Sequence, residues 1–243
     1  MAKKHYWEEV NYPQPTDEEL ISKAKATVRS AAKKGKELHP IVITGRQIAK
    51  NWWGKAWCSN LEKYADYDNR LPRGKRYVKT GSVIDLEIKQ GKILARVQGT
   101  RKTPYKVEIR ISPMSEEQIE SITDKCGTRV DNLNRLLIGD FPDELKEVFI
   151  DEGGLFPNPC EISFNCSCPD WAMMCKHVAA VLYGVGARLD EDPLLFFSLR
   201  GIDTNRFVDV VIANRTEMML ANINKPSRRI LTDADLTDIF GVL

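Results

Sequence analysis

The spacing of apolar positions switches between helical and strand-like periods along the chain, and the switches mark out three regions. In the first, Thr16-Asp17-Glu18-Glu19 forms a capping box, in which the threonine oxygen and the Glu19 carboxylate satisfy orphan amides at a helix start. A helix is expected from there to about Lys36. Its residues Lys23, Lys25, Arg29, Lys33, Lys34 and Lys36 make residues 1–39 a basic helical arm, which reads equally well as a solvated face. The second region, 40–112, opens with Trp52, Trp53, Trp57, Tyr64 and Tyr67 at roughly helical spacing, which favours core packing over stacking on bases. After Pro72 the period falls to two. Val83, Asp85 and Glu87 alternate with Ile84, Leu86 and Ile88, and residues 93–97 and 105–111 continue the style between turns at Gly91 and Pro104. This predicts an antiparallel β-meander over about residues 77–111 with one apolar and one charged face.

In the third region, 113–243, the helical period returns. Ser115 and Gln118 form a second capping box. Short helices are expected over Ser115–Thr123, Thr128–Leu137 and Pro142–Ile150, followed by a loop at Gly153-Gly154, Pro157 and Pro159. Near the end, Lys225-Pro226-Ser227-Arg228-Arg229 precedes a small acidic and apolar element. The fold class is therefore α+β, a β-meander with a mainly helical C-terminal part.

Composition sets limits on function. With 243 residues, 42% hydrophobic and 29% charged, the chain is long enough to bury its own core. No apolar run approaches the roughly 20 residues of a membrane-spanning helix. The N-terminus lacks the apolar stretch of a secretory signal, so a cytoplasmic protein with no membrane partner is expected. The net charge of +2 hides an asymmetry. Between Arg70 and Arg110, twelve lysines and arginines stand against three carboxylates, a local excess of +9, the usual footprint of a polyanionic partner. Candidate nucleic-acid contacts are Arg70, Arg73, Lys75, Arg76, Lys79, Lys89, Lys92, Arg96, Arg101 and Lys102. The first four flank a proline-glycine turn whose amides would add phosphate contacts.

Chemistry concentrates between Cys160 and His177. Of six cysteines, Cys58, Cys126 and Cys160 are scattered and read as buried small hydrophobes. The other three, Cys166, Cys168 and Cys175, lie together with His177. In extended chain, residues two apart point the same way, so Cys166 and Cys168 offer both sulfurs to one point. Pro169 then starts a turn. Within a helix, Cys175 and His177 would diverge by about 200°, so Cys175 belongs just before a helix and His177 in its first turn. Val178, Val181, Leu182 and Val185 anchor that helix to the core. Three thiolates and one imidazole complete a tetrahedral shell for one structural Zn²⁺, with no position left for substrate water. Iron–sulfur ligation fits the histidine and the short spacing poorly.

The pattern Cys-x-Cys, six residues, Cys-x-His resembles the SWIM zinc finger, and Cys-Pro-Asp-Trp followed by Cys-Lys-His-Val-Ala-Ala-Val-Leu-Tyr is very like its prokaryotic form. Trp53-Gly54-Lys55-Ala56-Trp57-Cys58, Asn69-Arg70-Leu71-Pro72-Arg73-Gly74 and Gly154-Leu155-Phe156-Pro157 resemble further segments of prokaryotic SWIM-finger proteins. The resemblance implies a small zinc-bound, ββα-like finger over residues 160–188, held by Cys166, Cys168, Cys175 and His177. It also implies a role in DNA or protein interaction, often beside a Snf-type helicase.

Two functions follow as expectations. The first is a zinc-binding accessory protein that holds nucleic acid, DNA before RNA, without catalysis. The alternative is a protein–protein adaptor for a Snf-type helicase or other DNA-processing machinery. No enzyme and no small-molecule substrate are expected, because the chain lacks Gly-x-x-x-x-Gly-Lys-Ser/Thr, His-Glu-x-x-His and Gly-x-Ser-x-Gly. Its other histidines, His5 and His39, lie in the N-terminal arm. Removing zinc is expected to unfold 160–190 locally while the remaining core survives.

Overall fold

The computed structural model describes residues 14–129, 143, 146–151 and 153–203, with isolated positions between 205 and 220. Helix α1 (Asp17–Lys33) starts at the capping box: Glu19 N–H donates to Thr16 Oγ1 and Thr16 N–H to Glu19 Oε2, both at 3.2 Å. It buries Leu20 and Ala24 and leaves most of its lysines in solvent. Next come α2 (Trp52–Asn60), a 3₁₀ turn (Leu61–Tyr64) and α3 (Arg70–Lys79). The strands are β1 (Val83–Lys89), β2 (Lys92–Val97), β3 (Tyr105–Ile111) and β4 (Ile162–Cys166). Between β3 and β4 lie α4 (Glu116–Arg129) and α5 (Lys146–Ile150); after β4 come α6 (Lys176–Glu191) and α7 (Leu195–Leu199).

The sheet is antiparallel throughout, in the order β1-β2-β3-β4. Gly91, at φ 62°, makes the tight β1–β2 turn, a conformation that costs glycine nothing. Alternation along each strand divides the side chains. Ile93, Ala95 and Val97 with Tyr105, Val107, Ile109 and Ile111 are buried on the inner face. Helix α6 packs on that face and is covered on its other side by α2 and α3. A helix enclosed on both sides must be apolar all round, and α6 is: the continuous run His177–Gly186 is buried. Small residues let its neighbours come close. A β-carbon at Gly74 of α3 would lie 2.5 Å from that of Ala179. The indole N–H groups of Trp57 and Trp53 donate to the Leu182 and Leu189 carbonyls at 2.9 and 3.1 Å. Beyond the sheet, buried Arg200 donates to Glu161 Oε1 (2.6 Å) and the Ser112 carbonyl (2.9 Å), tying the start of β4 to the end of β3.

The α+β class holds, with differences in detail. The meander begins at Val83, because residues 70–79 form α3. No proline-glycine turn exists at Pro72-Arg73-Gly74. Pro72 is the third helical residue, where an amide would have no intrahelical acceptor. Helix α4 runs past its expected end at Thr123 to Arg129, and its Ser115/Gln118 box is present. The rest of the Thr128–Leu137 helix, the start at Pro142, residues 1–13 and the basic 225–229 segment lie outside the described residues. Trp53, Trp57 and Tyr64 are core residues as expected, whereas Tyr67 is exposed. Cys58 is half-buried and Cys160, at the surface in a short 3₁₀ turn, is exposed, not buried as expected; the Cys126 side chain is outside the described set. The ββα-like unit is made by β3, β4 and α6, so it is part of the main sheet and core. Among the described residues, no helix is long and apolar enough to cross a membrane.

Candidate metal centre

Strand β4 ends at Cys166, whose alternation places it on the inner side with Ile162 and Phe164. A clip extends the pairing by one residue. Ser167 N–H donates to the Lys106 carbonyl at 3.0 Å, and Lys106 N–H donates to Ser167 Oγ at 2.9 Å. Cys168 thus leaves the sheet on the same side as Cys166. The chain turns at Pro169-Asp170 and returns to Cys175, which caps α6: its sulfur accepts the Val178 N–H at 3.5 Å. His177 is the second helical residue, so one ligand pair lies at a strand end and the other at a helix start.

The four donor atoms lie within 4.8 Å of one another. His177 Nδ1 is 3.9 Å from both Cys166 Sγ and Cys175 Sγ. A tetrahedral zinc with bonds of about 2.3 Å to sulfur and about 2.05 Å to nitrogen would set sulfur–nitrogen separations of about 3.6 Å. The residues therefore fit one such ion, with Nδ1 as the nitrogen donor. Hydrogen bonds from the Cys166 and Cys175 thiols push the Cys168 thiol well below its ordinary value. The bond to Cys168, then that to Cys175, pushes Cys166 up. With their donor atoms this close to one another, the three sulfurs can be held as thiolates by a single cation.

Rings replace the usual polar support of a ligating histidine. Tyr105 stacks on the His177 ring at 4.2 Å, and Tyr77 meets it edge-on at 5.4 Å. Among the described residues, Nε2 is buried without a hydrogen-bond partner. The loop between the ligand pairs is fastened by carboxylates. Asp66 accepts the Met173 and Met174 N–H groups at 2.7 and 3.3 Å; Asp170 accepts the Ala172 N–H at 3.3 Å and Arg70 Nη2 at 3.0 Å.

The ten basic residues singled out from the sequence fall on two surfaces. Arg70, Arg73, Lys75, Arg76 and Lys79 lie on α3, against α6. Arg101 and Lys102 join that side: the Arg101 guanidinium lies 5.6 Å over the Tyr105 ring that covers His177. Lys176, not among the ten, also belongs there, 5.4 Å over the Tyr77 ring. Burial, and then the Arg73 charge, hold its ammonium below the ordinary value. By contrast Lys89, Lys92 and Arg96 belong to β1 and β2, and pair with Glu87 (2.8 Å), Glu108 (3.0 Å) and Asp85 (3.8 Å). Sequence reading also missed a second gathering of donors, His39, Asp85 and Glu87. It forms because the chain at 39–41 runs beside β1, with Leu86 N–H donating to the His39 carbonyl at 3.0 Å. Its carboxylates already neutralise Arg96 and Lys89.

No family model and no solved structure matches the chain. It is similar to one curated protein of Mycobacterium tuberculosis (strain ATCC 25618 / H37Rv), "Uncharacterized protein Rv2102". The two are 34% identical over 172 residues, which is 70% of this chain and 62% of that protein. The chain thus spans less than two thirds of the length of the relative it matches. Within this chain, the geometry supports a metal-binding site of three cysteines and one histidine.

Proposed function

We propose that the chain is a zinc-stabilised accessory protein that binds nucleic acid, DNA in the first instance, without catalysing a reaction. The Cys-x-Cys and Cys-x-His pairs act as a SWIM-type clamp, and a full shell of four protein donors gives the zinc a structural role. The observation that carries the reading is the state of the cations beside that clamp. Among the described residues, no carboxylate lies within ion-pairing distance of Arg73, Lys75, Lys79, Arg101 or Lys102, although Arg70 and Arg76 are paired with Asp170 and Asp17. Unpaired cations on one helix, with two more on the loop before β3, are what a phosphate backbone recruits, and each phosphate engaged releases a counterion. A Snf-type helicase is the partner that the SWIM resemblance offers.

Fluorescence anisotropy with labelled DNA over a salt series tests the reading. A contact set of five cations predicts a slope of log affinity against log salt of about −3.5 on single strands and about −4.5 on duplex DNA. Binding that is absent at low salt, or indifferent to salt, would overturn it and leave the adaptor alternative, whose interface would rest on apolar contact.

A further inference from the structure

Trp171 is 100% exposed, an unusual place for the side chain with most apolar surface to hide. Its loop is nevertheless fixed. Metal ligands Cys168 and Cys175 bracket it, Arg70 holds Asp170 on one side of the tryptophan, and Asp66 holds the backbone of Met173 and Met174 on the other. The fold pins the backbone around Trp171 and leaves the indole without a ring or hydrogen-bond partner among the described residues. The surroundings carry cations. Arg70 lies 5.7 Å from the ring of Tyr67, itself 57% exposed; Lys176 lies 5.4 Å over the Tyr77 ring of α3, and Arg73 is exposed on the same helix.

We propose that Trp171 is a stacking platform for one unpaired base, and that the bound form is therefore single-stranded nucleic acid with its phosphates along Arg73 and Lys176. This inference rests on the nucleic-acid reading above and adds the strand preference to it. A protein partner would draw on a continuous apolar patch with charge at its rim. Here exposed Trp171 and Met173 stand among arginine, lysine and aspartate, so one face for a base with adjacent cations for the backbone is the better match.

The test uses the full zinc-loaded chain with a labelled oligothymidine and a labelled duplex, comparing wild type, W171A and W171F, with zinc content and circular dichroism as fold controls. The expected result is single-strand affinity reduced about ten-fold or more by W171A, largely restored in W171F, and duplex affinity within about two-fold of wild type. Unchanged single-strand binding by W171A, or an equal loss on both ligands, overturns the stacking platform while the nucleic-acid reading stands. Failure of the wild type to bind either ligand at low salt overturns both.

Discussion

The outer face of the sheet and the surface made by α3 and the loop between the ligand pairs hold comparable numbers of lysines and arginines, and differ in what faces those cations. On the sheet, acid meets base both along a strand, at positions two apart on the same face, and across to the neighbouring strand. Glu108 takes Lys92 at 3.0 Å and Arg110 at 2.8 Å, and Glu87 takes Lys89 at 2.8 Å. The hydrogen bond from Arg110, then that from Lys92, holds the Glu108 carboxyl below its usual range. The charges there largely answer one another within the protein. Around α3, Asp17 and Asp170 pair with Arg76 and Arg70, and among the described residues no carboxylate pairs with Arg73, Lys75 or Lys79, which are exposed. A count of charges along the chain treats the two surfaces as one, because it shows neither which surface a charge occupies nor which opposite charge reaches it.

Three substitutions press on this contrast. The largest effect is expected from Cys175→Ser. The clamp joins β4 to α6, the helix enclosed by sheet and helices, so metal loss should not stay local to residues 160–190. Structural zinc contributes on the order of 10 kcal/mol to the folding of its site, comparable to the whole stability of a domain. The variant should lose zinc and its cooperative thermal transition, while Cys160→Ser, at an exposed thiol, keeps both. A C175S chain that keeps a wild-type transition for the sheet and α2 would show the site to be an appended module. An intermediate effect is expected from Arg73→Glu with Lys79→Glu: DNA affinity lower by on the order of ten-fold to a hundred-fold and a salt slope shallower by about 2, with zinc content unchanged. The smallest is expected from Lys89→Glu with Lys92→Glu on the sheet, less than about three-fold in the same anisotropy assay, because those cations are already partnered. Equal losses from the two double variants would erase the contrast between the surfaces.

Local signals in the sequence were read well. Thr16 with Glu19 and Ser115 with Gln118 form the expected capping boxes, since capping depends on residues three apart. Alternation located β1 to β3 to within a few residues, and the two-residue spacings of Cys166 with Cys168 and Cys175 with His177 placed one pair on a strand end and the other on a helix start. What escaped depends on distant contacts. Helix α3 has few apolar residues and contains both Pro72 and Gly74, the composition of a turn; it is a helix that packs by Gly74 against Ala179. The pairing of β4 with β3 spans more than 50 residues, and no periodicity names a partner. It decides that the cluster of three cysteines and one histidine belongs to the core. His39 reached Asp85 for the same kind of reason, through backbone pairing of 39–41 with β1.

The central claim is that Cys166, Cys168, Cys175 and His177 hold one zinc ion at the junction of sheet and core helix. Native mass spectrometry of the purified, reduced chain, with elemental analysis of the same sample, measures this directly. The account predicts one zinc per chain, absent in C175S and retained in C160S. A wild-type chain that folds with no metal, or C175S that retains a full equivalent, would contradict it.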